Sequence, residues 1–390
     1  MYFEMNKMEL CDGNNCTQCY ACQTICPKGC ISMQEAKDGF LVPVIDYEAC
    51  IACGKCVKAC HKLTSCIQYQ TPIETYACWT KVLVDRKKSS SGGAFSVIAR
   101  KILSLQGIVY GASMCSDLKV RHIGIECVDD LIRLQGSKYL QSYVGSIYKE
   151  IKAQLCKGRK VLFTGTPCQV AGLLTYLHRR YDNLYTCDLV CHGVPSQKAF
   201  DIYVDKIGLR GKCENVSFRC TDGWGYQMSK YLVFPTKNEY SDKRVIFPKN
   251  TYYLRAFTIG LMFSEACYSC VYARPERVSD ITLADYWGIG VKIPFNYSTS
   301  KGVSLMLINS EKALSLLNDC SDLFMEKRPL EEAIEGNYNL SHVSKRPEGR
   351  NTYFEDSQKL SIDTLSAKYG IKSSIRDYLR LLKQMINSFK

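Results

Sequence analysis

The sequence predicts an α/β protein, α+β overall, in which a small cysteine-rich domain precedes a larger domain built on a mainly parallel sheet. Three observations lead there. Twelve of the 23 cysteines fall within residues 1–78, and eight of them form two runs of identical spacing. Charge divides at the same place: residues 1–80 hold six lysines, no arginine and eight acids, a net of −2, which leaves +15 on the remainder against a total of +13. Beyond residue 80, strand-like and helix-like stretches alternate, the pattern of a parallel sheet with crossover helices. A chain of 390 residues, 46% hydrophobic and 23% charged, reads as globular and too long for one core. The domains expected are 1–80, 81–330 and a helical tail over 331–390.

The cysteine runs carry the first chemistry. CTQCYACQTICP (16–27) places four thiols at x2, x2 and x3 spacing before a proline, and CIACGKCVKACH (50–61) repeats the spacing. Such a run wraps an iron–sulfur cube, and in two-cluster ferredoxins the fourth cysteine of each run ligates the other cluster. One [4Fe–4S] cluster is therefore assigned Cys16, Cys19, Cys22 and Cys60, and the second Cys50, Cys53, Cys56 and Cys26. Zinc is the alternative, but it favours isolated CxxC pairs. One position departs: Pro27 follows the first run, whereas His61 follows the second. Cys11, Cys30, Cys66 and Cys78 are expected to be small buried residues. No secretory signal is visible and no apolar run approaches ~18 residues. The expectation is a cytoplasmic protein with no transmembrane segment, where abundant cysteine means metal more often than disulfide.

In the larger domain RKKSSSGG (86–93) reads as a loop. Helical spacing follows at 94–106, a strand at 107–112, a helix near 142–157, a strand and turn at 159–167, a helix at 169–180, a strand at 183–191 and a helix at 196–208. Residues 214–260, rich in aromatic and β-branched residues, read as an antiparallel insert. Strands return at 279–288 and 302–310. The terminal SSIRDYLRLLKQMINSFK is an amphipathic basic helix, expected to pack on its own domain, with a membrane-surface role as the alternative.

Four later cysteines point to one crevice. Cys168, in GTPCQ, follows a strand and opens a helix, with Thr166 as N-cap and Pro167 at the first helical position. A thiol there is expected to favour the thiolate. Cys191 ends the next strand, and in an open parallel sheet ligands collect at the carboxyl ends of strands. Cys267 and Cys270, in CYSC, supply a chelating pair. The four match the count of one more cluster. Cys187, on the same strand as Cys191, competes, and Cys168 alone would also serve as a nucleophilic or redox thiol.

These residues, with SSGGAFS (90–96), GSKYLQS (136–142), FTGTPCQVAGL (163–173), CHGVPS (191–196) and SDITLADYWG (279–288), run in one order over roughly residues 10–290. In that order they resemble the β subunit of coenzyme F420-reducing hydrogenase and its relatives, the F420 hydrogenase/dehydrogenase β-subunit family, in members with an N-terminal two-cluster ferredoxin domain. The resemblance implies an iron–sulfur flavoprotein whose α/β domain binds FAD without a Rossmann fingerprint, and it implies a third [4Fe–4S] cluster on Cys168, Cys191, Cys267 and Cys270. It makes Ser91, Gly92, Gly93, Ser137, Lys138 and Tyr139 the expected flavin contacts. Lys138 would stabilise reduced flavin and His192 would donate a proton. A flexible linker at SSSGG, a surface charge at Lys138 and a structural His192 are the plain alternatives. Asp280, Asp285 and Trp287 either shape the crevice or serve structure. Two departures from the family, Cys220 and Thr221 within FRCTDGW and Ala284 before Asp285, bear on the substrate side.

The function expected is electron passage from ferredoxin or a similar donor, through the clusters to FAD, and on to a small-molecule substrate. That substrate is an F420-like compound or one from a sugar or polysaccharide pathway. A non-enzymatic electron-transfer subunit is the alternative. A zinc and nucleic-acid module, raised by the basic body, ranks last because no base-reading motif is present.

Overall fold

Thiols and turns, not hydrophobic periodicity, shape the start of the chain. In the computed structural model, which describes residues 9–64, 66–211, 216–219, 233–234, 244–245, 252–372 and 379, this part holds two one-turn helices, Ala21–Ile25 and Lys55–Lys58, and an antiparallel hairpin of β1 (Ile31–Glu35) and β2 (Leu41–Ile45).

The body is built on eight strands: β3 (Glu74–Thr80), β4 (Ile108–Met114), β5 (Val120–Ile125), β6 (Val161–Thr164), β7 (Leu184–Leu189), β10 (Ile281–Asp285), β11 (Ser304–Ile308) and β12 (Leu323–Lys327). The short pair β8 (Val233–Phe234) and β9 (Arg244–Val245) stands apart. The sheet order is β12-β3-β11-β10-β7-β6-β4-β5. Its centre, β10-β7-β6-β4, is parallel, and both flanks are antiparallel. The centre meets the expectation; the antiparallel pairing of the flanks was not foreseen.

Helix Ala94–Ser104 covers one face with Ile98 and Ile102 fully buried. Helices Ile147–Cys156 and Pro167–Leu177 cover the other, and there Cys19, Tyr20, Ala21 and Ala59 join the same core. The cysteine-rich domain is thus seated on the helix that Cys168 opens. Thr175 Oγ1 donates to Ala59 O at 2.8 Å, and Thr24 Oγ1 to Gly145 O at 3.0 Å.

Three boundaries differ from the sequence reading. β3 pairs with β11 and β12, so the body begins before residue 80. Arg86–Lys88 close a helix, Leu83–Lys88, rather than lying in a loop. The tail packs on the body through residue 372: Tyr353, Phe354, Leu365 and Ile371 enter an aromatic core with Phe200, Tyr253 and Phe263, and buried Arg350 donates to Phe263 O at 3.0 Å and Asp38 Oδ2 at 2.6 Å. Most of the expected insert and of the terminal basic helix lies outside the described residues. Among the described residues, no helix is long and apolar enough to cross a membrane.

Candidate functional site

The eight cysteines of the paired runs line two hollows. Cys16, Cys19, Cys22 and Cys60 border one, and Cys26, Cys50, Cys53 and Cys56 the other. The two loops are conformational twins. Gln18 and Ala52, each two residues after its run's first cysteine, have φ of 55° and 50°, and Tyr20 and Gly54 follow at 65° and 71°. This turns the amide of Gln18 onto Cys16 Sγ and that of Ala52 onto Cys50 Sγ, both at 3.4 Å. Three non-glycine residues held left-handed store strain that only a packed site maintains. N–H···S bonds of this kind tune cluster potentials.

The donor chemistry fits clusters. Burial pushes the Cys16 thiol up to about 11 and Cys22 to about 12, and neighbouring thiols add to it. Thiols crowded in this way lose their protons when a metal takes their place. Among the described residues no three His, Cys, Asp or Glu side chains converge on a single-ion site; these thiols ring hollows instead. Two cysteines expected as plain core belong here. Cys11 lines the first hollow together with Cys60, and Cys30 lines the second with its Sγ 3.4 Å from Cys26 Sγ. Cys78 is buried in β3 and Cys66 is exposed.

The later thiols also come together. Thr166 and Gln169 form a capping box at the start of helix Pro167–Leu177, with Thr166 N donating to Gln169 Oε1 at 3.0 Å, and this presents Cys168 at the second helical position. Cys191 follows β7, the parallel neighbour of β6. Cys267 lies in helix Glu265–Tyr268 and Cys270 in the turn after it. Cys168 and Cys270 help to raise the Cys191 thiol, and Cys191, Cys168 and Cys270 help to raise that of Cys267. Cys187 is turned into the opposite core. Burial pushes Cys168 up to about 11 and Cys191 to about 12. That reverses the expected thiolate at Cys168: desolvation outweighs the helix end and the Thr166 hydroxyl.

One residue that organises this set was missed. Arg277, 2% exposed, donates to Tyr272 O and Arg274 O, both at 3.0 Å, to Leu189 O at 3.1 Å, and pairs with Asp188 at 3.1 Å. It ties the end of β7, just before Cys191, to the turn just after Cys270. Its partner lies on a distant strand, so no local pattern marks it.

The expected flavin residues are placed less simply. The glycines serve packing: a Cβ on Gly92 would stand 2.4 Å from Cys78 O, and Gly93, at φ 83°, would meet Thr80 Cγ2 at 2.7 Å. Ser91 Oγ donates to Val303 O at 2.9 Å. Ser137 donates through N and Oγ to Ser90 Oγ, both at 2.8 Å, which joins the two loops. Lys138 Nζ caps a helix end at Leu134 O (3.1 Å) and Gln135 O (2.8 Å), and desolvation pulls it down to about 7. This is neither a surface charge nor a free cation. His192 has both ring nitrogens engaged, with Asn339 Oδ1 at 2.8 Å and Thr258 O at 3.0 Å, so the proton-donor role expected for it competes with two protein acceptors. Asp280 is structural, accepting from Thr186 N (2.8 Å) and Ser310 Oγ (2.8 Å).

Beside Tyr139 lies a residue the sequence reading did not single out. Arg219, 7% exposed, pairs through Nη1 with Asp285 Oδ2 at 2.6 Å. Its Nε and Nη2 have no hydrogen-bond partner among the described residues. Buried donors left over in this way call for an accepting group, so the neighbourhood of Ser91, Tyr139 and Arg219 fits an acceptor-rich or anionic cofactor.

Comparison with known proteins agrees with the two-part reading. Residues 15–63 match the model of a 4Fe-4S dicluster domain, and residues 158–332 match that of the C terminus of the coenzyme F420 hydrogenase/dehydrogenase beta subunit. A coenzyme F420-dependent sulfite reductase of Methanocaldococcus jannaschii is 25% identical over 197 residues, 50% of this chain and 30% of that protein. An uncharacterized ferredoxin of the same organism is 38% identical over 85 residues, 18% of this chain and 53% of that protein. The chain thus spans less than two thirds of either relative. A chain of the F420-reducing [NiFe] hydrogenase complex from Methanosarcina barkeri superposes with a TM-score of 0.44 at 15% identity, covering 70% of this chain and 97% of that one. By the two matched models, residues 158–332 form a domain similar to the C terminus of the coenzyme F420 hydrogenase/dehydrogenase beta subunit, and a 4Fe-4S dicluster domain lies ahead of it at residues 15–63.

Proposed function

We propose that this chain is an iron–sulfur flavoprotein oxidoreductase that takes single electrons from a ferredoxin-type donor and delivers them in pairs, through FAD, to a small molecule. The observation that carries the reading is the seating of the twin thiol loops on the helix that opens with Cys168, which sets two cysteine systems side by side. Cys16, Cys19, Cys22 and Cys60 would hold one cluster, Cys26, Cys50, Cys53 and Cys56 a second, and Cys168, Cys191, Cys267 and Cys270 a third. Such clusters, when bound, carry one electron at a time.

The chain's own residues supply the rest. The Gln18 and Ala52 amides steady the first sulfur of each run, Arg277 holds the third set in register, and Arg219 offers two buried donors to the flavin. Exposed Cys53 places the second hollow at the surface, where a protein donor docks. F420 appears in the names of two similar proteins and is one substrate class; a sugar-pathway compound is the other.

Anaerobic purification, followed by release and identification of the bound chromophore, tests the flavin. FAD that is bleached when a reduced ferredoxin is added is expected. Clusters without any flavin would contradict the reading and favour a plain electron-transfer role.

A further inference from the structure

The residue that breaks the cluster-run pattern is at the seam between two thiol sets. A proline closes runs of this kind, and Pro27 does so in the first run; in the second His61 stands there. His61 is buried, 6% exposed. Its Nε2 lies 2.8 Å from Thr17 Oγ1, and its Nδ1 lies 2.6 Å from Tyr272 Oη. Thr17 follows Cys16 and His61 follows Cys60, both at the first hollow. Tyr272, 4% exposed, stands two residues after Cys270, in the third set. Its hydroxyl has Cys168, Cys19 and Cys270 as electrostatic neighbours, and the Tyr69 ring, 6.2 Å away centroid to centroid, closes over it.

A second contact brings the two sets close. A Cβ added to Gly172 would fall 2.7 Å from Cys19 Cβ and 2.8 Å from Cys19 Sγ. Gly172 is one turn after Cys168 on the same helix, and residues four apart share a face with a rise of about 6 Å. Helix Pro167–Leu177 therefore touches both thiol sets with one face.

We propose that Thr17, His61 and Tyr272 form a buried hydrogen-bonded bridge that positions the Cys16, Cys19, Cys22 and Cys60 ring against the Cys168, Cys191, Cys267 and Cys270 set and provides the electronic contact between them. The inference rests on the reading that the later four thiols hold a cluster. One electron leaves the group on the first ring, oxidising it, and enters the group on the second, reducing it. No bond is made or broken, and the imidazole and phenol keep their protons. The reductant is a reduced ferredoxin-type protein. Electronic coupling falls less steeply along bonds and short hydrogen bonds than across a gap, and bridges that contact ligating residues also tune the metal they serve.

The test uses the full chain prepared anaerobically. Its clusters are reduced with ferredoxin, a donor too large to reach the buried thiols, and freeze-quench EPR follows the third signal, identified as the one absent from Cys267→Ser. Tyr272→Phe keeps the ring and removes only the hydroxyl. It is expected to leave iron content and melting temperature unchanged and to slow arrival of the electron by an order of magnitude or more. His61→Pro, the residue the run ordinarily carries, is expected to slow it as much, and His61→Gln, which retains a donor and an acceptor, to recover most of the rate. Tyr272→Phe with full iron and an unchanged rate overturns the bridge and leaves the third site standing. A wild-type chain with only about eight irons overturns the third site and the bridge with it. If His61→Pro fails to hold iron, Tyr272→Phe alone decides.

Discussion

Arg277 contributes no ligand, yet two of the four late thiols hang from it. It is fully buried against Asp188, whose other oxygen accepts from Thr282 Oγ1 at 2.5 Å. Burial pushes the Asp188 carboxyl up, and the arginine, threonine and serine around it pull it back. Removing one partner of such a pair strands the other, which costs about 3–5 kcal/mol. Arg277→Met is therefore expected to lower the melting temperature sharply, and Arg277→Met with Asp188→Leu to regain much of the loss. A single variant that melts like the wild type contradicts this.

His122 gives a pH signature at the same scale. It is 4% exposed, lies between Thr164 O (2.9 Å) and Ser142 Oγ (3.0 Å), and burial pulls it down to about 4. An unfolded histidine titrates near ~6.5, so below that pH the unfolded chain takes up the proton first. The stability is present above pH ~6.5 and drains away as pH falls towards 4. Wild-type melting should fall further than that of His122→Gln between about pH 7 and about pH 5; parallel curves would refute the assignment. Residues such as Arg277, His122 and Arg219 are not legible in the sequence because their meaning comes from partners on other strands. Cys16 to Cys60 are legible because a cluster run is written locally.

At the scale of elements, helix Pro167–Leu177 joins sheet, first hollow and third thiol set. Gly172 lies against Cys19. Gly172→Ala puts a methyl against Cys19 and, by overpacking, is expected to cost about 1–3 kcal/mol. It should also weaken retention of the first cluster more than the second, read as iron lost on mild chelation; equal loss from both would contradict this. The parallel strands β4, β6, β7 and β10 were readable because apolar runs alternate with helices. Of the antiparallel flank only β11 was, from the strand read at 302–310. ETYACWT (β3) follows the cysteine domain without a helix before it, and LFMEK (β12) is too short to carry a period. The left-handed Gln18 and Ala52 were also invisible, since neither residue type advertises that conformation.

For the whole molecule, the cysteine-rich domain is an integral part of the fold. Its residues complete the core on one face of the sheet, and its thiols approach those at the strand ends. The twin hollows follow from spacing and the matched dicluster domain, whereas the destination of the electrons rests on four cysteines distributed over more than a hundred residues. The most direct measurement is iron and acid-labile sulfide per chain in anaerobically prepared protein, beside a Cys168→Ser, Cys267→Ser double variant. About twelve irons are expected in the wild type and about eight in the variant. About eight in both would contradict a third cluster and, with it, the path proposed for the electrons.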